Sequence, residues 1–135
     1  MQSNQASLSV GDSFVLKDLE GSHLHIIVAQ EGPRDENRVM LVYISTAKPH
    51  RDPTTLINVG EHPFVTEESW VRYQKIKVVQ RLTLTDKIAT SYGKVSDTLL
   101  LRIQKGIQKS KFVAKDKREL FREWQLNELY NQTSH

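Results

Sequence analysis

Residues 38–45 read RVMLVYIS, an almost unbroken apolar, β-branched run with an arginine at one end and Ser45-Thr46 at the other. Its length and β-branched content predict a strand over Arg38–Ser45. Punctuation on both sides supports this: Gly32-Pro33 and Asp35-Glu36-Asn37 precede it, and Lys48-Pro49 and Asp52-Pro53 follow it. Working outward, Ser13–Leu19, His23–Gln30, Thr55–Val59 and Trp70–Val79 read as further strands, with Glu20-Gly21 as a turn between the first two. Short strands at this spacing, with no helical pattern between them, predict an antiparallel, curled sheet or small barrel.

The second half has a different period. Ser96 is a good N-cap, and Leu99, Leu100, Ile103 and Ile107 recur at helical spacing, so Asp97–Gln108 is expected to be an amphipathic helix in spite of Gly106. Asp116–Tyr130 reads as a second helix with Leu120, Phe121 and Trp124 as its apolar stripe, while residues 80–95 fit no single state. The expected fold class is therefore mainly β with C-terminal helices, an α+β arrangement. There is no internal repeat and no low-complexity segment.

At 135 residues the chain makes one domain with one core. It contains no cysteine, so neither disulfides nor a zinc knuckle hold the fold. The N-terminal MQSNQASLSVGDS has neither a basic nor an apolar signal region, and no run approaches the about 18 apolar residues of a membrane span. A cytoplasmic protein is the expectation. The formal charge of +3 is unevenly spread: Arg102–Arg118 holds seven cations against one anion, +6, which leaves −3 for the remainder. Such a window can attract a phosphate backbone or an acidic protein, or be an ordinary solvated helix face.

Polar chemistry concentrates between His50 and Tyr73, HRDPTTLINVGEHPFVTEESWVRY. Proton-transfer and phosphate-handling groups gather there: His50, Arg51, Asp52, His62, Ser69 and Tyr73, with Ser45 and Thr46 just before and Lys75 just after. Plainer roles stand beside these. His62 before Pro63 can fix a turn, Ser45, Thr46 and Ser69 can end or cap strands, Tyr73 can be a half-buried aromatic, and His50 and Arg51 can be solvated loop residues. His23-Leu24-His25 places two imidazoles on one side of a strand, but no glycine run or correctly spaced carboxylate accompanies them, so no metal is expected. Serine-nucleophile and phosphate-loop motifs are missing from the sequence.

The succession GDSFVLKDLEGSHLHIIVAQ, VMLVYIST, DPTTLINVGEHPFVTEESWVRY and SDTLLLRIQKGIQKSKF resembles the MazF/PemK family of toxin–antitoxin endoribonucleases, over Val10–Phe112. Gly60-Glu61-His62-Pro63-Phe64 with Ser69 and Tyr73 is its most specific piece and is similar to a divergent branch of that family. The resemblance implies an SH3-like β-barrel over residues 11–112, a flexible segment 1–10, a helical extension 113–135, homodimerisation, metal-independent cleavage of single-stranded RNA without a cofactor, and inhibition by an acidic antitoxin.

Cleavage by the RNA's own 2′-hydroxyl needs a base, an acid for the departing 5′-oxygen, and donors around phosphorus. Where familiar members begin their second strand with arginine, this chain has His23, whose imidazole cannot fork two phosphate oxygens. The implied catalytic set is His23, Thr46 and His62, with His23 and His62 as complementary acid and base; Ser45, His50, Arg51, Ser69, Tyr73 and Lys75 would bind the strand. The alternative is a toxin-like RNA- or protein-binding module without cleavage, in which Trp70, Tyr73 and Tyr92 stack on bases and the basic window follows phosphates.

Overall fold

The computed structural model describes residues 8–18, 21–84 and 89–133. Leu19, most of the expected N-terminal segment and part of the ambiguous 80–95 stretch lie outside the described residues. Among the described residues seven strands, β1 (Asp12–Asp18), β2 (Gly21–Gln30), β3 (Arg38–Ser45), β4 (Leu56–Ile57), β5 (Ser69–Val71), β6 (Lys77–Gln80) and β7 (Ala89–Lys94), precede two helices, α1 (Asp97–Lys109) and α2 (Lys115–Thr133). Every strand pairing is antiparallel, in the order β4-β5-β3-β2-β1-β7 with β6 also on β3. Among the described residues the path is open at β4 and β7.

β3 is the hub, which is why RVMLVYIS is apolar at nearly every position. Met40, Val42 and Ile44 face the helices, while Val39 and Leu41 join Phe14, Ile27 and Leu84 in a second cluster on the opposite face. One edge of β3 pairs with β2. The other is shared: Arg38–Leu41 pair with β6, and Ile44 and Ser45 pair with Val71 and Trp70 of β5. The single strand expected over Trp70–Val79 is thus two strands separated by a 3-10 turn at Tyr73–Lys75. The turn carries Tyr73 beneath α1, where its Oη donates to the Ile103 carbonyl at 2.7 Å and meets Thr55 Oγ1 at 2.7 Å. Sequence periodicity does not register such a break, because Trp70 and Val71 before it and Ile76, Val78 and Val79 after it keep the run apolar.

The β2–β3 register shifts between Ile27 and Ala29, so that Val28 and Ala29 both join the core beneath the helices. Gln104 of α1 donates to the Val28 carbonyl at 3.0 Å at this irregularity. α1 begins as expected, Ser96 Oγ accepting from the Leu99 amide at 3.1 Å. Its buried face is Leu99, Ile103, Gly106 and Ile107. Gly106 is required there: a Cβ would overlap Tyr73 Oη and lie 2.5 Å from Thr55 Oγ1. α2 packs through Phe121 and Trp124, and Arg118 donates to the Ile107 and Ser110 carbonyls at the end of α1. Asp52 ties the same corner down, accepting from Ser110 Oγ at 2.7 Å.

Candidate nucleic-acid interface

Side chains alternate across β1 and β2, and this alternation organises the candidate residues. Phe14↔His25, Leu16↔His23 and His25↔Tyr43 are cross-strand pairs on one face. Ser13↔Ile26 and Val15↔Leu24 occupy the other face, toward the helices. His23 sits half-buried on the first face, its Nε2 3.0 Å from Tyr43 Oη, with ring centroids 4.5 Å apart. His25 is fully buried behind it, its Nδ1 donating to the His23 carbonyl at 3.0 Å.

His62 lies on the opposite face. The Phe64 amide donates to its Nδ1 at 3.0 Å, which puts the ring proton on Nε2; Nε2 then donates to Ser13 Oγ at 2.8 Å, and that hydroxyl donates to the Gly93 carbonyl at 2.8 Å. Both nitrogens are engaged in a chain running from the loop through β1 to β7. The residue is only 4 % exposed, and burial holds its pKa below the ordinary histidine range. His62 is therefore a neutral clip for the turn. The expected acid–base partnership of His23 with His62 is corrected, because the sheet separates them and His62 has no nitrogen left for substrate.

What the clip supports is a cleft of about 420 Å³. Leu24, Ile44 and Val65 give it an apolar floor, Thr46, Thr66 and Ser69 line it with small polar side chains, and Pro63, Phe64 and Tyr92 wall it. Phe64 and Tyr92 are 37 % and 41 % exposed and meet edge to face, with centroids 5.4 Å apart. Tyr92 also leans over the His62 ring at 6.1 Å. The loop is held from its far side: Gly60 takes a left-handed φ of 97°, Glu61 accepts from the Asn58 amide at 3.2 Å, and Arg102 Nη1 donates to Glu61 Oε1 at 2.7 Å. That contact keeps the Glu61 carboxyl below its usual range.

Of the residues singled out in the sequence, the structure brings Thr46, Ser69 and Tyr92 to the cleft, with His62 behind its wall. Ser69 is itself buried, its Oγ donating to the Glu67 carbonyl at 2.9 Å. Ser45 caps the strand end, accepting from the Ala47 amide at 3.1 Å. Arg51 pairs with Glu68 at 2.8 Å, His50 is exposed with a left-handed φ of 60°, and Lys75 is exposed in the 3-10 turn; none of the three lines the cleft. Tyr73, 1 % exposed, is corrected from a substrate contact to a core staple, and burial raises its hydroxyl pKa far above the usual tyrosine value. Trp70 is likewise buried, donating from Nε1 to the Ala47 carbonyl at 2.6 Å, and offers no face for stacking.

Thr66 is not among the residues singled out in the sequence, and Phe64 appears there only as part of the Gly60–Phe64 motif, without a role; an aromatic after proline in a polar loop was the available signal. Among the described residues, no three histidine or carboxylate side chains gather to hold a metal, and no helix is long and apolar enough to cross a membrane. No protein-family model and no curated protein matches the sequence.

Proposed function

We propose that this chain binds single-stranded RNA, seating a base in the cleft against Phe64 and Tyr92, as a toxin-like module of MazF/PemK type that grips its strand without metal-independent cleavage. The observation that carries this reading is the composition of the cleft: two exposed aromatic rings, an apolar floor and a few hydroxyls, with no histidine, carboxylate, lysine or arginine in its lining. Bases stack on such rings whatever their identity, at about 1–3 kcal/mol per base, whereas general acid–base cleavage needs both an acid and a base within reach of the phosphate, most often histidine or carboxylate. The SH3-like barrel, the homodimer and an acidic antitoxin covering the cleft belong to the same proposal and rest on the sequence resemblance.

The test is fluorescence anisotropy with an end-labelled single-stranded RNA in chelator, followed by analysis of fragment ends. Binding is expected, without 2′,3′-cyclic phosphate termini. Failure to bind would overturn the reading. Cyclic-phosphate fragments would instead favour the endoribonuclease, for which the half-exposed His23 beside Tyr43 Oη, at 3.0 Å, is the supporting observation. His23→Ala would then abolish the fragments.

A further inference from the structure

The seven cations of the basic window are not equivalent once it is folded, and Lys111 and Lys115 lie exposed beyond α1's last turn. Arg102, Lys117 and Arg118 are engaged, with Glu61, Asp116 and the α1 carbonyls respectively. Lys105 and Lys109 are exposed and form no ion pair with another described residue, and both line a small cavity of about 160 Å³ between α1 and the Thr54–Leu56 segment. Arg102 and Gly106 also line that cavity, Gly106 lying between the two lysines with Thr55 packed against it. Cations at positions 102, 105 and 109 share one helix face, and like charges three and four apart disfavour the helix. The nearby carboxylates are already committed: Glu61 to Arg102, and Asp52 to Thr54 and Ser110. Three cations facing one slot, with a single carboxylate partner among them, is an arrangement that an incoming anion would relieve.

We infer that this slot is a phosphate subsite for the RNA strand whose base occupies the aromatic cleft; the inference rests on the RNA-binding reading. Leu56 in the slot and Pro63 in the cleft are seven residues apart. Seven residues span at most about 25 Å, within reach of the about 4–16 nucleotides that single-strand-binding modules cover. Lys105 and Lys109 act as point charges on the backbone rather than as readers of sequence.

The experiment compares the wild-type chain with Lys105→Gln/Lys109→Gln, exposed positions whose replacement leaves the core untouched. Affinity for a uridine decamer is measured across a salt series, and amide shifts are followed during titration with pyrophosphate. For two lost phosphate contacts, the slope of log affinity against log salt becomes less negative by about 1.4, and binding at physiological salt weakens roughly tenfold. Pyrophosphate is expected to move the Thr54, Leu56 and Gly106 amides in the wild type only. An unchanged slope overturns the subsite, as does the absence of pyrophosphate shifts in the wild type. Pyrophosphate shifts in a protein that does not bind the decamer would keep the slot and discard the RNA reading. Shifts produced by polyglutamate but not by pyrophosphate would assign the lysines to an acidic protein and overturn the proposal.

Discussion

Gly106→Ala is the substitution for which helix propensity and tertiary packing predict opposite signs. In an exposed helix the change stabilises by about 1 kcal/mol, because alanine loses less backbone entropy on folding. Here the new methyl would overlap Tyr73 Oη and sit 2.5 Å from both Thr55 Oγ1 and Tyr73 Cζ. Overpacking of this kind costs about 1–3 kcal/mol, and displacing a buried hydroxyl from its partners costs about 1–3 kcal/mol more. The phenol cannot retreat, since its oxygen is held between the Ile103 carbonyl and Thr55, each at 2.7 Å. After subtracting the propensity gain, a net destabilisation of about 3 kcal/mol is expected, which lowers the melting temperature by roughly 10 °C. Urea denaturation followed by far-UV circular dichroism and by tryptophan fluorescence measures it. Tyr73→Phe removes the overlapped oxygen, so the double variant should be less destabilised than the sum of the singles by about 1 kcal/mol. A Gly106→Ala protein as stable as the wild type, or more so, would refute the contact and with it the reason for the 3-10 turn that delivers Tyr73.

Other expectations concern the clips and the cleft. Because burial lowers the pKa of His62, its contribution to stability is fully present above the ordinary histidine value of about 6.5 and is lost as pH falls toward the native-state pKa. The urea midpoint should therefore drop through this acidic window, and His62→Gln should flatten the dependence; an identical pH profile for the variant would argue against the engaged, neutral ring. Arg81, which is buried and donates to the Pro33 and Gly32 carbonyls and to Gln30 Oε1, holds the β2–β3 loop, so Arg81→Lys should cost about 2–3 kcal/mol because an ammonium cannot reproduce the fork. Tyr92→Ala and Phe64→Ala should each weaken RNA binding by about 1–2 kcal/mol without changing its salt slope, read by anisotropy, whereas Lys75→Gln should leave both unchanged.

Much of the fold is legible in the chain. RVMLVYIS forms the strand its content predicts, and the Ser96 cap with the Leu99, Ile103 and Ile107 spacing places α1 within a residue at its C-terminal end. These features are local, fixed by propensity, turn residues and hydrophobic period. The expected strand over Thr55–Val59 shortens to Leu56–Ile57, since the chain must turn at Gly60 to be caught by Arg102. The candidate site is less legible. Thr46 and Ser69 line the cleft, but His62 and Tyr73, the most reactive-looking members of the polar stretch, are absorbed by the framework.

By itself, then, the sequence determines an antiparallel sheet followed by two helices and points to one polar loop, because strand, helix and turn signals are carried by neighbours in the chain. Which face of the sheet each group reaches is decided only by tertiary register. One step along β1 or β2 sends a side chain to the other side, so His23 meets Tyr43 while Ser13 meets His62. Tertiary packing likewise turns a glycine in mid-helix into the seat for a tyrosine, and the phenylalanine of a loop motif into the wall of a cleft.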